Sequence, residues 1–183
     1  MSQPLRILGF AGSLREFSYS RVILDAIVEM FPGGTKFDTI AVDAMPPYNE
    51  DLEHSAVPAS VVDGRAMVRA SDAILIVTPE FNHGLPGVLK NTLDWLSRPA
   101  FESCFVGKPV LFATISPGAL GGVRAQHQLR ETLASMLCKL IPVPEIAITY
   151  VGSKITDGRL TDVGTRNHIQ MVLDRFMRDS QTA

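Results

Sequence analysis

The sequence predicts an α/β fold, a doubly wound three-layer sandwich whose parallel sheet runs in the order 2-1-3-4-5 with helices on both faces. Short apolar runs alternate with helical patterns along the whole chain, the arrangement that builds a covered parallel sheet. One run, Ala73-Ile74-Leu75-Ile76-Val77, is apolar throughout, as a central strand buried on both faces requires. Glycine and hydroxyl residues collect after the first and fourth strands, and prolines and glycines after the third. That is the carboxyl edge, where open sheets of this kind bind ligands.

Taken in order, residues 5–10 form the first strand and residues 19–31 the first helix, stopped by Pro32-Gly33-Gly34. Residues 36–42 read as the second strand. The proline-rich stretch 45–51 reads as a loop, and residues 58–70 as a second helix. After the strand 73–77 come a helix over 85–96, a strand over 109–116 and a long helix over 123–140 with Leu129, Leu133, Met136, Leu137 and Leu140 along it. The fifth strand falls within 142–150. Asp157-Gly158 marks a turn, and Ile169, Val172, Leu173 and Phe176 set the stripe of a last helix. The tail 180–183 is expected to fray. Five strands and five helices in alternation suit a flavodoxin-like sheet, with its ligand beside strands 1 and 3.

At 183 residues the chain reads as one domain, 1–183. A net charge of −2 leaves no electrostatic footprint for nucleic acid or an anionic membrane. No apolar run is long enough to span a bilayer, and the first four residues lack a signal-peptide start. Cys104 and Cys138 stand apart with no C-x-x-C, which points to a reducing cytoplasm; each reads as a buried small hydrophobe, with a reactive thiol as the alternative. The four histidines show no metal-ligand spacing, and no Ser/His/Asp or Cys/His set emerges. No catalytic acid, base or metal is therefore expected. Asp94, late in a helix, reads as a partner in a structural hydrogen bond or an ion pair.

The stretch Gly9-Phe10-Ala11-Gly12-Ser13-Leu14-Arg15-Glu16-Phe17-Ser18-Tyr19-Ser20-Arg21 joins the first strand to the first helix. Such a junction gathers free N–H groups and a positive dipole end at one place. Ser13, Ser18 and Ser20 add hydroxyls, and Arg15 and Arg21 add positive charge, the donors that make strong bonds to phosphate. It is neither a nucleotide triphosphatase loop nor a dinucleotide fingerprint. The plainer reading is that Ser18 or Ser20 only caps the helix.

After the third strand, Thr78-Pro79-Glu80-Phe81-Asn82-His83-Gly84-Leu85-Pro86-Gly87 is long and stiff for a strand–helix link. Its backbone groups and Asn82 can address the rim of a heteroaromatic ring, with Phe81 beside it. The alternative is a rigid turn. After the fourth strand, Ser116-Pro117-Gly118-Ala119-Leu120-Gly121-Gly122 either lines the other side of a ring or is a flexible helix entry.

Gly12-Ser13-Leu14-Arg15-x-x-Ser18 with Pro79-Glu80-Phe81-Asn82-His83-Gly84-x-Pro86-Gly87-x-Leu89-Lys90-Asn91-x-x-Asp94-Trp95 resembles the NADPH-dependent FMN reductase family, which includes quinone, azo and chromate reductases. The resemblance implies that Ser13, Arg15, Ser18, Tyr19 and Ser20 hold the FMN phosphate. It implies Pro79, Glu80, Phe81, Asn82 and Gly84 for the isoalloxazine, with Ser116 and Gly118 flanking the ring. Phe81 stands where tyrosine is usual, Ser20 where asparagine is common, and Pro117 in a loop that is often Thr-Gly.

The implied activity is transfer of electrons from NADPH or NADH through bound FMN to a small acceptor, quinones first, by a ping-pong mechanism. The rivals are a non-catalytic flavodoxin-type electron carrier, for which the charge is too close to neutral, and a flavin-binding regulatory protein. Leu93, Trp95, Leu96 and Met136, apolar beyond one helical stripe, lead us to expect a homodimer or homotetramer; the resemblance points the same way.

Overall fold

The computed structural model describes residues 4–180; residues 1–3, and 181–183 of the tail expected to fray, lie outside it. In chain order the elements are β1 Arg6–Ala11, α1 Tyr19–Val28, β2 Lys36–Thr39, α2 Glu50–Ser55, α3 Ala59–Ala70, β3 Ala73–Pro79, α4 Gly87–Leu96, β4 Pro109–Ile115, α5 Val123–Ser135, β5 Lys139–Leu140, β6 Ile146–Ile148, β7 Ile155–Thr156, β8 Arg159–Leu160 and α6 Val163–Ser180. The main sheet is parallel in the order β2-β1-β3-β4-β5, with β6 also paired to β4. The expected strand order and layering are therefore present.

Alternation along each central strand divides the core in two. Leu8, Phe10, Ile74, Ile76, Val110 and Phe112 face α3, α4 and α5. Ile7, Ala73, Leu75, Val77, Leu111, Ala113 and Ile115 face α1 and α6, where Ile169, Val172, Leu173 and Phe176 form the stripe read from the sequence.

Three expectations need correcting. The helix expected to run to 140 stops at Ser135. Leu137 takes a left-handed φ of 58°, its N–H donates to the Ala134 carbonyl (3.0 Å), and the Cys138 N–H donates to Leu133 (3.1 Å). This is a Schellman ending, made with leucine where glycine is the usual signal. The fifth strand is also two pieces. Residues 139–140 and 146–148 each pair with β4, separated by Pro142 and Pro144, of which neither has an N–H to give a ladder. Part of the expected loop at 45–51 becomes α2: Asn49 accepts the Asp51 N–H (2.9 Å), and Glu50, Asp51 and Glu53 favour its positive end.

The apolar residues expected at an oligomer contact lie instead in the core. Leu93, Trp95 and Leu96 are fully buried and Met136 nearly so, all inside this chain. The Trp95 indole N–H donates to the Pro46 carbonyl (2.7 Å), its ring meets Tyr48 edge-on, and Asn91 accepts the Tyr48 N–H (2.7 Å) while donating to Pro46 (2.8 Å). Asn91 and Trp95 thus bind the segment before α2 to α4.

β6 is held against the loop before α5. Gly121 has φ 61°, and a Cβ there would lie 2.7 Å from the Ala147 carbonyl carbon. Gly121→Ala should therefore cost about 1–3 kcal/mol of stability, from backbone strain and the clash, measured by urea unfolding.

Candidate active site at the carboxyl edge

Three neighbouring strands deliver the three singled-out segments to one place. Ala11 is paired with Val77, Thr78 with Thr114, and Pro79 with Ile115, so the chain leaves β1, β3 and β4 side by side. The first two loops are in direct contact. The Gly12 N–H donates to the Val77 carbonyl (2.8 Å), and a Cβ on Gly12 would sit 2.3 Å from the Thr78 hydroxyl oxygen. Only glycine fits there.

In the first loop Ser13, Ser18 and Ser20 are buried, while Leu14, Arg15, Phe17 and Tyr19 are exposed. The two serines offered as helix caps separate. Ser18 is the N-cap, its hydroxyl accepting the Arg21 N–H (3.3 Å). Ser20 lies inside the first helical turn, 1% exposed, and its hydroxyl oxygen has no hydrogen-bond partner. The Tyr19 and Ser20 N–H groups, in that same turn, have no intrahelical acceptor. Tyr19 leans away from this turn toward the segment after β6: a Cβ on Gly152 would lie 3.1 Å from its hydroxyl.

The second loop is a closed turn. The Phe81 N–H donates to the Gly84 carbonyl and the Gly84 N–H to Phe81, both at 3.0 Å. Asn82 and His83 between them have positive φ, 49° and 64°, the conformation of a tight two-residue hairpin turn. Phe81, Asn82 and His83 are all exposed, Phe81 by 52%. The Glu80 carboxylate points the other way. Its Oε2 accepts the N–H groups of Arg124 (2.9 Å) and Ala125 (3.2 Å), and its Oε1 lies 3.6 Å from the Arg124 guanidinium. Glu80 therefore caps α5, a role its neighbours in sequence do not signal.

The third loop is built rather than slack. The Ser116 hydroxyl accepts the Gly118 N–H (3.0 Å), the Gly118 carbonyl accepts the Tyr150 N–H (3.1 Å), and the Ser116 carbonyl accepts the Val151 N–H (3.1 Å). The Thr114 hydroxyl donates to the Gly121 carbonyl (2.9 Å). Gln128, which the sequence does not single out, accepts the Leu85 N–H through its Oε1 (2.7 Å). An exposed glutamine in mid-helix carries no local signal of that contact.

The sequence motif thus splits. Its first half, through Gly84, forms the site edge, whereas Asn91 and Trp95 have the structural role described above. Asp94 forms an ion pair with Lys90, one of the two roles read for it from the sequence. Glu145 pairs with Arg130 across 3.4 Å. Among the described residues no group of histidines, cysteines and acids could hold a metal, and no helix is long and apolar enough to cross a membrane. Burial pushes both cysteine thiols up, Cys138 to about 12 with Cys104 beside it adding to the shift. Neither is a thiolate nucleophile near neutral pH.

Comparison with known proteins agrees with this geometry. The family model described as NADPH-dependent FMN reductase matches residues 5–152. A quinone reductase of Pseudomonas putida is 38% identical over 96% of this chain and 95% of its own length. A 2-hydroxy-1,4-benzoquinone reductase of a Burkholderia species is 35% identical over 94% of each. Among solved structures, the flavoenzyme NAD(P)H:(acceptor) oxidoreductase of Paracoccus denitrificans superimposes with a TM-score of 0.88 at 30% identity, covering 97% of this chain and 98% of that one. The loops, the sheet order and the extent of these matches agree, and the chain belongs to the NADPH-dependent FMN reductase family.

Proposed function

We propose that this protein is an FMN-dependent NAD(P)H oxidoreductase that passes electrons from NADPH or NADH to a small acceptor, with quinones as the acceptor class. The observation that carries the reading is the start of α1. A buried hydroxyl without a partner costs about 1–3 kcal/mol, and Ser20 holds one beside the unpaired N–H groups of a helix start. Ser13 and Ser18 in the same loop are also buried, Arg15 and Arg21 are exposed close by in sequence, and such a donor set suits a dianionic phosphate. These residues fit FMN.

Ser13, Arg15, Ser18 and Ser20 would hold the phosphate, with Tyr19 contributing its main-chain N–H. Pro79, Phe81, Asn82 and Gly84 would border the ring, with Ser116 and Gly118 on its other side and Glu80 contributing through its main chain. When bound, FMN supplies the redox chemistry, taking a hydride from the nicotinamide and returning electrons to the acceptor. The protein's share is to bind, orient and limit water, so no side chain is assigned as acid or base. Phe81, Asn82 and His83 are exposed, and donor and acceptor would use the open face of the ring in turn. Relatives named as quinone reductases support this reading over the electron carrier. We place the protein in the cytoplasm, as one domain. If it assembles as a homodimer or homotetramer, exposed apolar side chains such as Phe101, Val106 and Leu137 are the ones left for the contact.

The anaerobic absorption spectrum tests the activity. A flavin band should bleach on adding NADPH or NADH and return on adding a quinone, with parallel lines in initial-rate plots. A band indifferent to both nicotinamides would favour the carrier or a regulatory protein. Ser20→Ala tests the seat. The flavin-free variant should be at least as stable as wild type, because an unsatisfied buried hydroxyl is gone, yet bind FMN more weakly by about 1.5–3 kcal/mol, the range for a bond to a charged group. Unchanged FMN affinity would remove Ser20 from the seat.

A further inference from the structure

We propose that α5 clamps the second loop at two points, making Glu80 and Gln128 positioning residues for the ring-facing turn; the proposal rests on the flavin reading above. The first point is the Glu80 carboxylate on the N–H groups of Arg124 and Ala125, both converging on Oε2 at 2.9 and 3.2 Å. A carboxylate at a helix N-terminus is also favoured by the dipole. The second point, one helical turn on, reverses the polarity: Gln128 Oε1 accepts the Leu85 N–H at 2.7 Å. The fit is close, because a Cβ on Gly84 would lie 2.8 Å from that oxygen.

Between the two points lies the closed Phe81–Gly84 turn, stiffened by its own pair of hydrogen bonds. A stiff turn pinned at both ends takes its orientation from whatever holds the pins. Here that is α5, itself anchored through the fully buried Leu129 and Leu133. The Glu80 carboxylate, with one oxygen engaged twice and the other facing Arg124, cannot also address a ring without releasing the helix. Its effect on the flavin is exerted through the geometry of the turn.

Each pin meets backbone N–H groups through a single acceptor oxygen, which Glu80→Gln and Gln128→Glu keep and the alanine variants remove; Glu80→Gln gives up only the 3.6 Å contact to the Arg124 guanidinium. The experiment measures FMN affinity by fluorescence quenching, and amide exchange of residues 85, 124 and 125 in the flavin-free protein. Glu80→Ala and Gln128→Ala should each speed exchange at their own partner amides and weaken FMN binding about tenfold, while Glu80→Gln and Gln128→Glu stay within about threefold of wild type. If Glu80→Ala fails to fold, Gln128→Ala, altered at an exposed side chain, carries the test alone. FMN affinity unchanged in the alanine variants would overturn the clamp. So would a Glu80→Gln variant as weak as Glu80→Ala, which would mean that the charge itself acts. Failure of the wild-type protein to bind FMN would overturn the flavin reading instead.

Discussion

The structure of the site depends on the close passage of the first loop over the end of β3. The Gly12 N–H bonds the Val77 carbonyl, and the missing Cβ leaves room for Thr78. That contact extends the β1–β3 ladder by one residue beyond the sheet. It also makes the loop that carries the serines and the loop that carries Phe81 and Asn82 leave the sheet together. Any side chain at position 12 would push them apart.

From that point each loop is tied to the next. The second is joined to α5, α5 follows the third loop, and the third is bonded to the segment after β6, on which Tyr19 of the first helix leans. The carboxyl edge is therefore closed by contacts among its own loops, on the foundation of a sheet whose central strands are buried on both faces. Such an edge can present backbone donors and a few side chains in a fixed arrangement, which is what a site supplying position rather than proton transfer needs.

Much of this was legible in the sequence because its causes are local. The apolar run of β3, the stripe of α6 and the small residues after β1 each report their own surroundings. The end of α5 was hidden because leucine, not glycine, takes the left-handed position at 137. The break between β5 and β6 was signalled by Pro142 and Pro144, but nothing nearby shows that both pieces return to β4. Within the site, the hydroxyls of the first loop could be read as a group and a serine cap expected at 18 or 20, whereas which of the two caps and the isolation of Ser20 could not, since both depend on side-chain direction. Glu80 and Gln128 find partners 44 and 43 residues away. Gln128 lies outside the motif, which displays Glu80 without saying whether it is a ligand or a support. The same holds for Asn91 and Trp95, in the motif but away from the loops.

The central claim is that the buried hydroxyls and helix start of the first loop form a phosphate seat. Its most direct test compares the affinity of the flavin-free protein for FMN and for riboflavin, which lacks only the phosphate. Two or more charge-assisted bonds predict that FMN binds at least about 100-fold more tightly. Equal affinities would show that the first loop recognises no phosphate and would contradict the account.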